Sequence, residues 1–252
     1  MSSHAPGAAD RGLDAVAMTW GMWIWNLRRC EAGDPDRIAA RCRAVGLDHI
    51  VLKIADGTTP YNGASLARVV ERLQAHGIEV WAWTYTYGRQ PEREAEIFGV
   101  RALQLEANGL VVDLEGDGYS GSRERVRRFM AALRGVAPAA HVGLSSHRFP
   151  LLHPGVPVGY AMGWCDSGWP QAYYLHPDVE VAMERVHRQW SAFGRPVVAT
   201  GAAFPEGTGE AANVARFAAA CRRLGVTGVN WWSWEHATPA VWDQIRSVVG
   251  EA

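Results

Sequence analysis

Eight alternations of a strand-like apolar run with an amphipathic helical run fill residues 18–249 without a linker. That pattern predicts an α/β fold, a single-domain (β/α)8 TIM barrel. The fourth apolar run, Gly109-Leu110-Val111-Val112, is unbroken, as a parallel strand covered on both faces should be. The alternative is an open doubly wound sheet. It would carry a Gly-rich phosphate turn after its first strand, where this chain has Trp25-Asn26-Leu27-Arg28.

Met18 to Leu27 reads as the first strand, and Asp34-Pro35 caps a helix running to Gly46, with Pro in its first turn. His49 to Ala55 is a second strand ending in the turn-like Asp56-Gly57, and Ser65 to His76 is an amphipathic helix closed by Gly77. Ile78 to Tyr87 forms the third strand, and Gln90 to Ala107 its helix. The carboxylate-bearing fourth strand precedes a helix from Ser122 to Val136, whose Arg123, Arg125, Arg127 and Arg128 make a solvated face. His141 to His147 is the fifth strand; the Pro- and Gly-rich stretch Phe149 to Trp164 shows no helical period. Trp169 to Leu175 and Pro177 to Phe193 make the sixth unit, Pro196 to Thr200 and Glu210 to Leu224 the seventh. Thr227 to Glu235 is the eighth strand, and Thr238-Pro239 opens a last helix to Val249. Residues 1–15 are expected to be a disordered tail ahead of a barrel over 16–252.

A formal net charge of -1 gives no electrostatic case for nucleic acid or an anionic membrane. No apolar run reaches the roughly 18 residues a membrane span needs. The N-terminus has no apolar signal region, so the chain is expected to be cytoplasmic as synthesised. Cys30, Cys42, Cys165 and Cys221 are widely spaced without a CxxC, which fits reduced thiols better than disulfides or zinc. The nine histidines include no HExxH, and no metal or cofactor is expected. Trp is the outlier, at 12. Trp20, Trp190 and Trp242 are expected to be packing; others fall at strand ends.

A barrel of this kind works at the carboxyl ends of its strands. The fourth strand ends there in Asp113-Leu114-Glu115-Gly116, and side chains two apart on a strand share a face. Burying two adjacent acids is costly unless they are hydrogen-bonded, paired or at work. Two readings follow: a structural pair bonded to loop amides and to Lys53, or a carboxylate pair for acid/base chemistry. In the second, Glu115 is the general acid and Asp113 raises its pKa by like-charge proximity. With an N-acetylated substrate, Asp113 would stabilise an oxazolinium formed by that group.

Around the pair, Trp25, Tyr85 and Trp232 are candidates for stacking on a sugar ring, and Gln171 and Tyr173 for hydrogen bonding to it. Lys53 reads as a buried counter-ion to Asp113 or Glu115. Glu235 is a second carboxylate if Trp231 and Ser233 face inward with it, and a rim acid if Trp232 and Trp234 do. This aromatic bowl suits a neutral, polyhydroxylated ligand. It suits a phosphate poorly, for want of an Arg cluster or a Gly-rich cradle.

Gly109 to Gly116 (GLVVDLEG) resembles the Asp-x-Glu strand of family 25 glycoside hydrolases, the lysozyme-type muramidases. Val51 to Gly57 resembles the Lys-Ala-Thr-Glu-Gly segment of that family's second strand, and His76 to Tyr85 its third. The same Asp-x-Glu is similar to that of family 18 chitinases, which carry a Tyr near the end of strand six, as Tyr173 stands here, and a Trp on strand eight. Muramidases place an Asp on strand one, where this chain has Met22-Trp23-Ile24-Trp25, and chitinases place another Asp at the position of Val111. The resemblance implies a glycosidase-like barrel that hydrolyses a β-linked, N-acetylated oligosaccharide or polysaccharide such as peptidoglycan. A chain without an export signal would then reach its substrate by lysis or a dedicated secretion device, as a phage-type lysin does. The alternative is a catalytically weak or inactive barrel that binds carbohydrate. A third reading, a metal-dependent polysaccharide deacetylase or hydrolase, would use Asp113, His147 and His236.

Overall fold

The computed structural model describes residues 18–63, 65–173, 178–204 and 212–250. Eight parallel strands are present: β1 (Thr19–Ile24), β2 (His49–Asp56), β3 (Glu79–Tyr85), β4 (Gly109–Asp113), β5 (Val142–His147), β6 (Ser167–Gln171), β7 (Val198–Ala202) and β8 (Gly228–Trp232). Each pairs with the next, and β1 pairs with both β2 and β8, which closes the barrel and removes its edges. Thr59–Pro60 folds back as a short antiparallel extension on the end of β2. The helices are α1 (Pro35–Val45), α2 (Leu66–Ala75), α3 (Pro91–Gln104), α4 (Arg123–Val136), α5 (Val158–Met162), α6 (Val179–Ser191), α7 (Ala212–Leu224) and α8 (Pro239–Gly250). The fold is the single-domain (β/α)8 barrel that the alternation predicts. The expected tail, the end of the sixth strand at Leu175 and the helix starts at Pro177 and Glu210 lie outside the described residues.

Local chemistry accounts for the punctuation. Asp34 Oδ1 accepts from the amides of Asp36 and Arg37 at the start of α1, and Gly46 ends that helix at φ 83. The stretch without helical period holds a 3-10 turn at Pro150–Leu152 and the five-residue α5. All four cysteines are buried and free. Among the described residues no helix is long and apolar enough to cross a membrane.

Indoles fill the barrel. Trp23, Trp83 and Trp169 are buried together with Val51 and Val111, and Trp232 packs edge-on against Trp23 and Trp83 at 5.6 and 5.4 Å. Inward glycines make the room. A Cβ on Gly109 would lie 2.4 Å from the Trp81 ring, and one on Gly143 would lie 2.3 Å from Trp169 Nε1. Outside the barrel, Trp20 stacks on Trp231 at 5.8 Å, and Trp190 and Trp242 join the layer between strands and helices, as expected of packing residues. One seam is sparse. β6 meets β7 through the Gln171–Thr200 pair and a bridge between Gly168 and Val197.

Candidate active site

At the carboxyl ends of the strands lies a cleft of about 390 Å³. Trp83 and Trp232 form its floor, Tyr85 and Tyr87 line one side, and Trp25 stands at its lip. Its charged groups are Lys53, Asp56, Asp113 and Glu115.

The acids are brought together by a third strand. Asp113 is the last residue of β4 and Glu115 follows just beyond it. Gln171, the last residue of β6, donates its Nε2 to Asp113 Oδ1 at 2.9 Å and to Glu115 Oε1 at 2.6 Å. Ser145 on β5 donates to the same Asp113 oxygen at 3.0 Å. The spacing predicts a like-charge effect on Glu115; the structure places it on Asp113 instead, which is 6% exposed. Burial first, and then the neighbouring Glu115, hold the Asp113 carboxyl well above the usual carboxylate range. Ser145, Gln171 and Lys53 offset part of that rise. Glu115 is half-buried and faces the cleft.

Lys53 lies in a box of rings. Its Nζ is 3.2 Å from Asp56 Oδ1, and 4.7, 4.8 and 5.8 Å from the ring centroids of Trp83, Tyr61 and Trp25. Burial lowers its pKa, while Asp56 first and Asp113 after it pull the value back up. The counter-ion role expected of Lys53 is therefore directed mainly at Asp56, with Asp113 second.

Three predicted binding residues take other places. Gln171, expected to meet the sugar, gives its Nε2 to the two acids and so supports them. Tyr173 lies outside the cleft lining, with its ring against Phe204 at 5.5 Å. Burial raises its phenol pKa, and the nearby Asp113 and Glu115 add to the rise. Glu235 is the rim acid of the two alternatives, because Trp232 turns inward and Trp231 outward. It sits in the 3-10 turn Trp234–His236 beyond β8, and its Oε1 accepts the backbone amides of Trp25, at 2.7 Å, and Asn26. Trp25, Lys53, Tyr85 and Trp232 do line the cleft with Asp113 and Glu115.

The metal-dependent reading finds no centre. His147 donates Nε2 to the Glu115 carbonyl at 2.6 Å, and His236 Nδ1 is 2.8 Å from Ser233 Oγ. Among the described residues no group of three His, Cys, Asp or Glu could hold a metal ion.

Glu94 had no place in the sequence reading. It is 2% exposed in the first turn of α3, where an acid meets the positive helix end. Its carboxylate accepts from Thr86 Oγ1 at 2.6 Å and from the amides of Tyr87, Gly88, Arg89 and Gln90. It thereby shapes the loop that carries Tyr87 to the cleft. The only signal in the sequence was an acid in the turn after Pro91.

No family model matches the chain, and no curated relative does. Solved structures do. The C-terminal domain of a putative chitinase from Desulfitobacterium hafniense matches with a TM-score of 0.71 at 11% identity, over 93% of this chain and 99% of that one. A GH18 chitinase from Cycas revoluta in complex with (GlcNAc)3 matches at 0.68 and 12%, over 92% and 99%. This chain has the fold of the chitinase barrels. A putative alpha-L-fucosidase from Bacteroides thetaiotaomicron shares the barrel as well, at 0.66 and 9% identity over 99% of both chains. Likeness at these identities describes fold, and function has to be argued from the site. The chitinase neighbours agree with the family 18 side of the sequence resemblance; they do not show the family 25 side.

Proposed function

We propose that this chain is a glycoside hydrolase that cleaves a β-linked, N-acetylated glycan above the floor of Trp83 and Trp232. The observation that carries this reading is the joint hold of Gln171 on Asp113 and Glu115 in an aromatic cleft. Two acids in unequal environments, one buried and one facing the ligand, are what divided acid/base work requires. Glu115 gives its proton to the leaving glycosidic oxygen. The other carboxylates at the rim are committed, Asp56 to Lys53 and Glu235 to backbone amides. That favours the substrate's own 2-acetamido oxygen as the group that attacks the anomeric carbon, with the Asp113 carboxyl, which accepts a hydrogen bond even when protonated, taking the N–H of the oxazolinium. Water then opens that ring, and Glu115 takes back a proton.

Replacing Glu115 by Gln keeps shape and removes the transferable proton. Turnover should fall by about 10²–10⁴-fold while glycan binding survives. Initial rates and calorimetry on the same variant measure both. Unaltered turnover would remove Glu115 from the mechanism. Chitin oligomers and peptidoglycan fragments both carry the acetamido group, and rates on the two choose between them. The second reading, an inactive carbohydrate-binding barrel, is favoured by a strand β1 without an acid. It predicts wild-type protein that binds glycan and turns over none.

A further inference from the structure

Trp25 is 41% exposed at the lip of the cleft, where the chain leaves β1. An indole on a surface connection would ordinarily be free to swing. Here its peptide group is gripped from both sides. Its N–H donates to Glu235 Oε1 at 2.7 Å, and the next amide, of Asn26, donates to the same oxygen. Its carbonyl accepts from Asn62 Nδ2 at 3.1 Å. That side-chain amide also donates to the Lys53 carbonyl at 2.8 Å, and Asn62 Oδ1 accepts the Leu27 amide at 3.1 Å. Asn62 itself lies at φ 63, a left-handed conformation that asparagine tolerates better than most residues. Glu235 follows β8 and Asn62 follows β2, so Trp25 is bracketed by both strands that flank β1. The Glu235 carboxylate also lies beside the buried Cys30 thiol, whose pKa it helps to raise.

We propose that Glu235, acting with Asn62, is a positioning residue that presents Trp25 as a second sugar platform beside the Trp83–Trp232 floor. The cleft then takes oligosaccharides in preference to single-sugar glycosides. This rests on the glycan reading of the cleft and adds to it a residue at the rim and a preference for chain length. A stacking surface held in place before binding loses less freedom when the ligand arrives. The carboxylate acts through the backbone of Trp25, and its absence would be felt in binding more than in chemistry.

The test uses the full chain carrying Glu115→Gln, so that N-acetylglucosamine oligomers of two to five units report affinity without turnover. Affinity should climb with length. Trp25→Ala should flatten that climb and weaken the longest oligomer by about tenfold or more, the scale of losing one buried aromatic anchor. Glu235→Ala should reproduce the effect, and it should speed hydrogen exchange at the Trp25 and Asn26 amides. Glu235→Gln should restore both, because its amide oxygen accepts the same two N–H groups. In protein that retains Glu115, the loss should appear in KM rather than kcat. The same length dependence in Trp25→Ala as in the parent would overturn the platform, and a Glu235→Ala protein that matches the parent in affinity and exchange would overturn the clamp. If no oligomer binds the parent, the glycan reading itself falls and the platform with it; the exchange measurement still reports on the clamp.

Discussion

Asp113 gives up water on folding while keeping Glu115 as a neighbour of like charge, and both effects disfavour its ionised form. Its folded pKa lies above its unfolded one. The stability it contributes is therefore fully present below the unfolded pKa and is lost as pH rises through the folded value. Asp113→Asn stays neutral throughout. Urea midpoints of wild type and variant should agree in acid, and the variant should be the more stable above the folded pKa. A variant that is less stable there would contradict this account of the pair. At this scale the acids were legible because a strand's two-residue period and its carboxyl end are written in the sequence. The work of Gln171 was not, since it lies 58 and 56 residues from its two partners and periodicity names a face without naming what crosses it.

The strands of this barrel match large residues to vacant positions on their neighbours. Gly143 on β5 leaves the space that Trp169 on β6 fills, and Trp169 is tied there by donating Nε1 to Ser167 Oγ at 2.8 Å. Gly143→Ala should therefore destabilise the protein by about 1–3 kcal/mol, the usual cost of overpacking. Adding Trp169→Phe should recover part of that loss, and thermal melts of the single and double variants measure both. No loss in Gly143→Ala would mean the interior is looser than its geometry indicates. Helix starts at Asp34 and Ser122 could be read from the sequence because capping chemistry is local. The length of β8 could not. Its aromatic alternation continues past Trp232, but Trp234 leaves the barrel to pack on Trp242 at 4.8 Å. The helix α5 escaped notice because five residues are too few to show a period.

Across the whole molecule, the eight-fold alternation was enough to anticipate closure, and closure is what gathers β4, β5 and β6 around one pair of acids. How evenly the ring is stitched is set by register, which no propensity reports. β2 and β3 stay paired from His49 and Glu79 to Asp56 and Tyr85, while β6 and β7 share little beyond Gln171 and Thr200. The side chain that holds Asp113 and Glu115 thus springs from the least secured join in the ring. On warming, that join should loosen ahead of the remaining ladder, since opening begins where backbone pairing is fewest. If the proposed glycan hydrolysis is the protein's activity, heat would then silence it in two stages: a reversible loss of turnover while the circular dichroism of the barrel is intact, followed by melting. Activity and dichroism recorded on one temperature ramp, with a return to the starting point, test this; superimposable curves would show that the join and the barrel give way together.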